Sequence, residues 1–295
     1  MSLSMPEEVR CGHCGHTETV EIHRSVNVSQ NPDLKDRIRD LSLNRHECGG
    51  WGGIDELGDH LLYHDMHRRI MISTSTGGIP NVPRRMGAYT LRAVPDLPTL
   101  AEKMALFDDG FDDIAAEVLK LRIRLTLLSA YENLLWMADA VPLEPRRLVY
   151  LGQIPATAAE VDTASRPSAL AFLLTLDCNP DISLMMVNVP ETEYASAAES
   201  VAGVEMPVPP GKWLQIDERV AAMVQRGRAE PIQIQVALAP TLAEIFPGVR
   251  HRWERHIAST PRQRFRIHKR PWLWTRRRRM FRALKEILSP PSFRV

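Results

Sequence analysis

Two short cysteine-containing segments constrain this chain more than any other part of its sequence. The first reads CGHCG from Cys11 to Gly15, and the second reads CGGWG from Cys48 to Gly52, so Trp51 stands at the position of a fourth cysteine. A Cys-x2-Cys turn brings two thiolates to one metal ion, and the glycine after it suits the backbone conformation in which the turn ends. The two segments therefore predict a pair of knuckles that meet at one metal site.

Three thiolates, those of Cys11, Cys14 and Cys48, form the predicted ligand set for zinc. Candidates for a fourth ligand are His13, His16, His46, His60 and His64. None of these histidines has the spacing of a ribbon ligand, and an ordinary surface or core role is the simpler interpretation of each. The alternative is a ribbon that has lost its metal, in which Trp51 fills the metal volume. A structural zinc contributes on the order of 10 kcal/mol to a small domain and a buried tryptophan only a few, so the rest of the protein would have to support such a ribbon.

The amino terminus, the hydropathy and the cysteine content indicate the compartment. The segment MSLSMPEEVR contains two glutamates and no apolar core, unlike a secretory signal peptide. No uncharged apolar run reaches the roughly 18 residues of a membrane span. Four cysteines among 295 residues favour metal binding in a reducing compartment over a disulfide framework. We therefore expect a cytoplasmic protein.

Residues 1–75 are predicted to form a zinc-ribbon-like module. Apolar residues recur at even spacing between Val20 and Val28, as in a half-buried strand. Leu34, Ile38 and Leu41 recur at helical spacing after Asn31-Pro32, so a short helix is expected between the knuckles. Residues 76–98 are rich in glycine and proline and are interpreted as a linker.

The remainder of the chain predicts an α+β fold with a long helix, a second α+β domain and a basic carboxyl-terminal helix. Residues 99–140 form the helical segment, whose core-facing side is predicted to be Ile114, Val118, Leu121, Leu125, Leu128 and Leu135. Residues 141–248 form the second domain, with strands RRLVYLGQI, ALAFLLTLDC, SLMMVNV and PIQIQVALA and helices over 192–201 and 216–225. Residues 249–295 form a basic amphipathic tail.

The charge of the chain is divided between an acidic body and this tail. Residues 250–295 contain 15 Lys and Arg against 2 Asp and Glu, a net charge of +13, whereas the preceding residues carry −12. Basic and aromatic residues alternate over residues 262–288, where Trp272, Trp274 and Phe281 lie among arginines. Such a segment could bind nucleic acid, lie on an anionic membrane surface, or dock on the acidic body or on a partner protein. All three alternatives remain open from the sequence.

Two further groups of residues could carry chemistry. Asp108, Asp109, Asp112 and Asp113 could bind a divalent cation, but their spacing is not that of a calcium loop, so helix capping is the favoured interpretation. Cys178 lies in a predicted strand, where a cysteine is more often a buried apolar residue than a nucleophile. The sequence contains no Gly-x-Ser-x-Gly or His-Glu-x-x-His motif, and PPGKW at Pro209–Trp213 lacks the rest of a phosphate-binding loop.

The amino-terminal part of the chain resembles the CpXC-domain family of bacteria and archaea. The resemblance is carried by RCGHCGH, SVNVSQNPDLKDRI, LLYHDM followed by MIS, and LFDDGFDDIAAEVLK, over roughly residues 8–125. It implies a zinc ribbon with two Cys-Pro-x-Cys motifs and supplies no catalytic residue. Gly12 and Gly49 stand where the family has proline, and Trp51 stands in place of the last cysteine.

These features favour a non-enzymatic binding or adaptor protein that contacts nucleic acid through its basic tail. The alternative is a protein-interaction module in which the tail clasps the acidic body or a partner, without nucleic acid. An enzyme is the third possibility, as a hydrolase with zinc on Cys11, Cys14 and Cys48 and an open fourth position. Thiolate-rich ribbons are usually structural, which argues against the hydrolase.

Overall fold

The computed structural model describes residues 2–57, 60–74, 88–135, 144–154, 169–178, 181–204, 212–225 and 232–238. The chain divides into two compact units. Of the described residues, those up to 105 and residues 212–216 belong to the first unit, and residues 106–204, with the gaps named above, 217–225 and 232–238 belong to the second. Both contain strands and helices, so the predicted α+β class is confirmed. No helix among the described residues has the length and apolar character needed to cross a membrane.

A mixed five-stranded sheet and a separate short hairpin form the strands of the first unit. In chain order they are β1 (Leu3–Arg10), β2 (Thr17–Asn27), β3 (Arg45–Glu47), β4 (Ile54–Glu56), β5 (Leu62–Asp65), β6 (Ile70–Thr74) and β7 (Thr90–Val94). The sheet order is β1-β2-β5-β6-β7, with parallel pairing of β2 to β5 and of β6 to β7, and β3 pairs only with β4. The hairpin therefore carries the second knuckle outside the main sheet.

The core of the first unit follows the predicted apolar pattern. Ile22 and Val26 are buried on β2, and Leu34 and Ile38 are buried on helix α1 (Asp33–Arg39), which follows Pro32 as the sequence predicts. The amino half of β2 lies next to the first knuckle and is largely exposed, whereas the carboxyl half is more buried. The strand thus anchors the knuckle to a packed core at its far end.

Part of the predicted linker is a strand, so the linker prediction is wrong for residues 90–94. β7 lies within residues 76–98, and Leu91, Ala93 and Val94 are buried. Leu214 lies along the strand: its carbonyl accepts from Ala93 N at 2.8 Å, and its N–H donates to Leu91 O at 3.2 Å. Prolines near a short apolar run resemble a loop in sequence, and only pairing with distant residues makes this run a strand.

The predicted single long helix is two helices, α2 (Leu97–Asp108) and α3 (Asp113–Leu135). They separate at Gly110, whose φ of +79° is incompatible with a continuous right-handed helix. Asp112 then caps α3, since its Oδ1 accepts hydrogen bonds from the N–H groups of Ile114 and Ala115, both at 2.9 Å. Capping by this member of the acidic cluster is therefore confirmed.

The predicted core face of α3 is wrong at Leu125 and Leu128, which are 40% and 42% exposed. Val118 is buried as predicted, Ile114 and Leu121 are half-buried, and the side chain of Leu135 lies outside the described residues. The buried apolar residues of the helix are Ala115, Ala116, Val118, Leu119, Ile123 and Leu127. Apolar residues occur all around this helix, so more than one stripe has helical spacing and only the packing partners select between them.

In its described part, the second unit contains an antiparallel sheet and the helices that pack together beside α3. Its strands are β8 (Glu144–Ile154), β9 (Ala169–Cys178), β10 (Asp181–Pro190) and β11 (Gln235–Leu238), in the order β11-β10-β9-β8. Helices α4 (Glu191–Ala202) and α5 (Glu218–Val224) join α3. β8, β9, β10 and the last two helices match the predicted segments, whereas the strand predicted in PIQIQVALA is shorter than expected and begins at Gln235. The basic tail, predicted over 249–295, lies outside the described residues.

Candidate metal centre

Each knuckle forms the tip of a hairpin, the first between β1 and β2 and the second between β3 and β4. Both turns contain the same two backbone hydrogen bonds. These are Cys11 N to His16 O (2.8 Å) and Gly15 N to Cys11 O (3.0 Å), matched by Cys48 N to Gly53 O (2.8 Å) and Gly52 N to Cys48 O (2.8 Å). The last glycine of each knuckle has a positive φ, +75° at Gly15 and +73° at Gly52. The second turn therefore keeps the knuckle conformation although its second cysteine is a tryptophan.

The three predicted ligand atoms converge between the two tips. The Sγ atoms of Cys11, Cys14 and Cys48 all lie within 4.8 Å of one another, and those of Cys14 and Cys48 are 3.6 Å apart. Ligands at about 2.3 Å from a tetrahedral zinc lie roughly 3.8 Å from each other. Cys11 and Cys48 are buried and Cys14 is exposed. The sulfur atoms therefore fit three corners of a tetrahedral metal site.

Asn44 holds the second hairpin against β2. Its side chain accepts from His23 N at 2.8 Å through Oδ1 and donates to His23 O at 2.8 Å through Nδ2. Its own carbonyl accepts from Leu57 N at 2.7 Å, just beyond β4. Both ends of the hairpin are thereby tied to one point on β2. A single asparagine between strands has no distinguishing pattern, so this contact could not be predicted from the sequence.

Glu18 makes a second connection, nearer the sulfur atoms. Its Oε1 accepts from Gly49 N at 3.2 Å and lies 2.7 Å from His46 Nε2. The hydrogen bond from His46, followed by that from Gly49, lowers the pKa of the Glu18 carboxyl below its usual value. The imidazole of His46 therefore faces a carboxylate, and it is not part of the cluster that converges on the cysteines.

Gly50 allows the two knuckles to approach closely. A Cβ atom at this position would lie 3.0 Å from both Cys14 Sγ and His16 Cβ. Such contacts are tighter than most Cβ contacts in proteins, so a side chain here would require Cys14 or His16 to shift by a few tenths of an ångström. The second glycine of CGGWG thus has a function distinct from that of Gly52, which supplies the positive φ.

Trp51 lies across one side of the sulfur cluster. Its indole Nε1–H donates to Cys11 Sγ at 3.1 Å, and its ring stacks on His13 with 4.3 Å between centroids. The ring also covers Gly53, where any Cβ would overlap it. Trp51 is 48% exposed. Because about half of Trp51 is exposed to solvent, its ring covers one side of the cluster. It does not fill the metal volume with buried apolar surface, as a metal-free ribbon would require.

Backbone N–H groups of the first knuckle favour the ionised form of the Cys11 thiol. Hydrogen bonds from the N–H groups of Cys14 and His13 lower the pKa of the Cys11 thiol to about 7. Burial has the opposite effect on Cys48, whose pKa is raised. Metal ligation requires thiolates, and an ion at this site would favour deprotonation of all three cysteines.

Of the other predicted candidates, His16 lies against Gly49 and Gly50 but is not in the group arranged for a metal ion, and the rest lie elsewhere. His60 Nδ1 is 3.3 Å from Thr74 O, and His64 Nε2 is 3.3 Å from the hydroxyl of Tyr89. Burial lowers the pKa of His64. In the part of the chain that the structure describes, the acidic cluster is not among the groups arranged for a metal ion. The side chain of Cys178 lies outside the described residues.

Comparison with known proteins identifies the segment that carries this site. Residues 9–120 match the family model described as CpXC protein, close to the predicted range of 8–125. The predicted resemblance to the CpXC family is therefore confirmed over this segment. No curated protein and no solved structure matches the chain.

The CpXC segment includes both knuckles and ends within α3. Gly12 and Gly49 occupy the predicted proline positions, and both lie directly after the first cysteine of a knuckle. A Cβ at Gly12 would meet no atom within 4 Å, so the structure does not require glycine there. Trp51 is different, because it changes the number of sulfur ligands that this CpXC segment can offer.

Proposed function

We propose that this protein is a non-enzymatic, cytoplasmic binding module whose amino-terminal ribbon is held together by zinc on Cys11, Cys14 and Cys48. The observation that carries the proposal is the convergence of three sulfur atoms from two knuckles with matching backbone hydrogen bonds. Thiolates are soft ligands that zinc prefers, and paired knuckles supply them at tetrahedral spacing.

A structural zinc fits these surroundings better than a catalytic one. A metal-dependent hydrolase needs a base that can act on a bound water molecule. The acid–base pair next to the knuckles is Glu18 with His46, and Glu18 also accepts from Gly49 N. Since these groups interact with each other and with the backbone, they support the connection between the hairpins. We therefore favour a binding module over a hydrolase.

Zinc content tests the proposal directly. Full-length protein purified without chelator is analysed by elemental mass spectrometry beside Cys48→Ala and Cys178→Ala variants. We expect about one zinc per chain in the wild type and in Cys178→Ala, because that cysteine lies outside the knuckles. Cys48→Ala should lose the metal. Absence of zinc from the wild type, also after incubation with added zinc and reductant, contradicts the proposal.

The charge of the tail supports nucleic acid as the partner of this module. Residues 250–295 carry a net charge of +13, and aromatic residues lie among the arginines of residues 262–288. Phosphate contacts give affinity that falls steeply with salt, and aromatic side chains stack on bases. The competing hypothesis, a clasp onto the acidic body or a partner protein, uses the same arginines without nucleic acid.

Electrophoretic titration of RNA and DNA distinguishes the two hypotheses. Replacing Arg276, Arg277, Arg278 and Arg279 by glutamine should weaken binding and reduce its salt dependence if the tail contacts phosphates. A lower melting temperature of this variant, with no complex at low salt for either protein, supports the clasp. This experiment does not depend on the zinc site, so zinc binding and nucleic-acid binding are tested separately.

A further inference from the structure

The metal site has three protein ligands among the described residues. The cluster of side chains arranged for an ion consists of Cys11, Cys14 and Cys48, and no described histidine or carboxylate joins it. His13 stacks on Trp51, and His46 faces Glu18. A tetrahedral zinc on this cluster would therefore have one position that these residues do not fill.

Trp51 stands at the sequence position of the missing ligand but cannot replace it. The indole nitrogen is a hydrogen-bond donor only, and it directs its N–H to Cys11 Sγ at 3.1 Å. A donor of this kind stabilises a metal-bound thiolate from outside the coordination sphere. The substitution thus exchanges one sulfur ligand for one hydrogen bond to a remaining sulfur.

The surroundings of the cluster leave it accessible from solution. Cys14 is exposed, and Trp51 is 48% exposed. A Cβ at Gly12, which follows Cys11 in the chain, would meet no atom within 4 Å, whereas Gly50 lies close to Cys14 Sγ. Because Cys14 is exposed, a small molecule can approach its side of the cluster from solution without displacing a packed side chain.

We propose that the fourth position of the metal is open and binds a small thiol from solution. The proposal rests on metal binding by the three cysteines. In the binding step, the thiol sulfur forms a bond to the metal, a water molecule leaves, and the thiol proton passes to the buffer, with no change in oxidation state. A sulfur ligand completes the set that the knuckle pattern would have contained with a cysteine at position 51.

Cobalt substitution tests the proposal without any assay of activity. Full-length protein is loaded with Co²⁺ in the presence of a phosphine reductant and titrated with 2-mercaptoethanol. We expect one Co²⁺ per chain and a sulfur-to-cobalt absorption band that rises by about one third as three sulfur ligands become four. A parallel titration with imidazole tests the preference for sulfur. A spectral response to imidazole alone contradicts the thiol assignment.

Two variants of Trp51 serve as matched controls. Trp51→Cys supplies the fourth sulfur from the chain, so its spectrum should match that of the thiol-saturated wild type and should not respond to 2-mercaptoethanol. Trp51→Phe removes the indole donor but adds no ligand, so its response should be retained. A four-sulfur spectrum of the wild type before any thiol is added overturns the proposal, and its loss in Cys178→Ala would identify the ligand.

The failure of this proposal can be distinguished from the failure of metal binding. Protein that takes up no Co²⁺ or Zn²⁺ contradicts the proposed function. Protein that takes up one ion but shows no spectral change with thiol contradicts only the open position.

Discussion

At the scale of single residues, three glycines of the knuckles have different physical requirements. Gly15 and Gly52 have positive φ, whereas Gly12 lies in open space with no such conformation. A side chain at positive φ costs roughly 1–2 kcal/mol, because Cβ crowds the following carbonyl oxygen. The same substitution should therefore have unequal effects within one turn of five residues.

Gly15→Ala should lower the free energy of unfolding by about 1–2 kcal/mol and weaken metal binding, because the strained turn misplaces Cys14. Gly12→Ala, at the other side of the same turn, is the control and should change stability by less than about 0.5 kcal/mol. Urea denaturation and competition with a zinc-sensitive dye measure the two effects. Equal losses in both variants would show that the turn does not depend on the glycine conformation.

The thiol of Cys11 should react at lower pH than that of Cys48 in metal-free protein. Its pKa is lowered to about 7, whereas burial raises that of Cys48. Since the thiolate is the reactive form, alkylation of Cys11 by iodoacetamide should rise through pH 7, and that of Cys48 only at higher pH. Peptide mass spectrometry of chelator-treated, reduced protein gives both profiles.

Removing the indole N–H of Trp51 should shift the pH dependence of Cys11 alkylation. Trp51→Phe eliminates the hydrogen bond to Cys11 Sγ, so the midpoint for this thiol should shift to higher pH. An unchanged profile in the variant would mean that the backbone N–H groups alone determine the pKa. Zinc should suppress alkylation of all three cysteines in the wild type.

At the scale of elements, a buried arginine connects three helices of the second unit. Arg122 on α3 is 8% exposed, and its guanidinium donates to Ser196 Oγ (3.1 Å) and Ser200 Oγ (2.8 Å) on α4 and to Gln225 Oε1 (3.0 Å) after α5. All three acceptors are neutral. The planar guanidinium can reach partners in three directions, which a lysine cannot do.

Arg122→Met should lower the free energy of unfolding by about 2–3 kcal/mol, because the substitution removes all of the hydrogen bonds that the charged guanidinium donates to α4 and Gln225. Arg124→Met is the control on the same helix. Its partner Glu218 is exposed, so its loss should cost less than about 1 kcal/mol. Urea denaturation followed by circular dichroism measures both. A larger loss for Arg124→Met would contradict the role assigned to Arg122.

At the scale of the whole molecule, the proposed metal belongs to one of two compact units. The knuckles lie in the first unit, and the antiparallel sheet with α4 and α5 lies in the second. Metal binding and folding are coupled where the ligands are, and proteins open in local cooperative units. Removing the metal should therefore affect the two units unequally.

Chelation should increase hydrogen exchange at the amides of residues 11–16 and 45–56 and leave those of α4 and β9 unchanged. Mass spectrometry of deuterated peptides, with and without a chelator, gives the comparison. Cys48→Ala should reproduce the chelated pattern without a chelator. A uniform rise across both units would show that the metal stabilises the entire chain.

Features that depend on local chemistry could be predicted from the amino-acid sequence. Knuckle glycines, alternating strands and the cap at Asp112 arise from interactions within a few residues, so their patterns are visible along the chain. Features that depend on contacts between distant residues appear only in the folded chain. Residues 90–94 form a strand because they pair with residues far away in the chain. Packing partners bury Ile123 and leave Leu125 exposed. Glu18 and Asn44 align the hairpins through hydrogen bonds to residues of other segments. The tertiary structure also decided the position of Trp51, because a side chain's exposure and its hydrogen bond to a sulfur 40 residues away are fixed only when both hairpins meet.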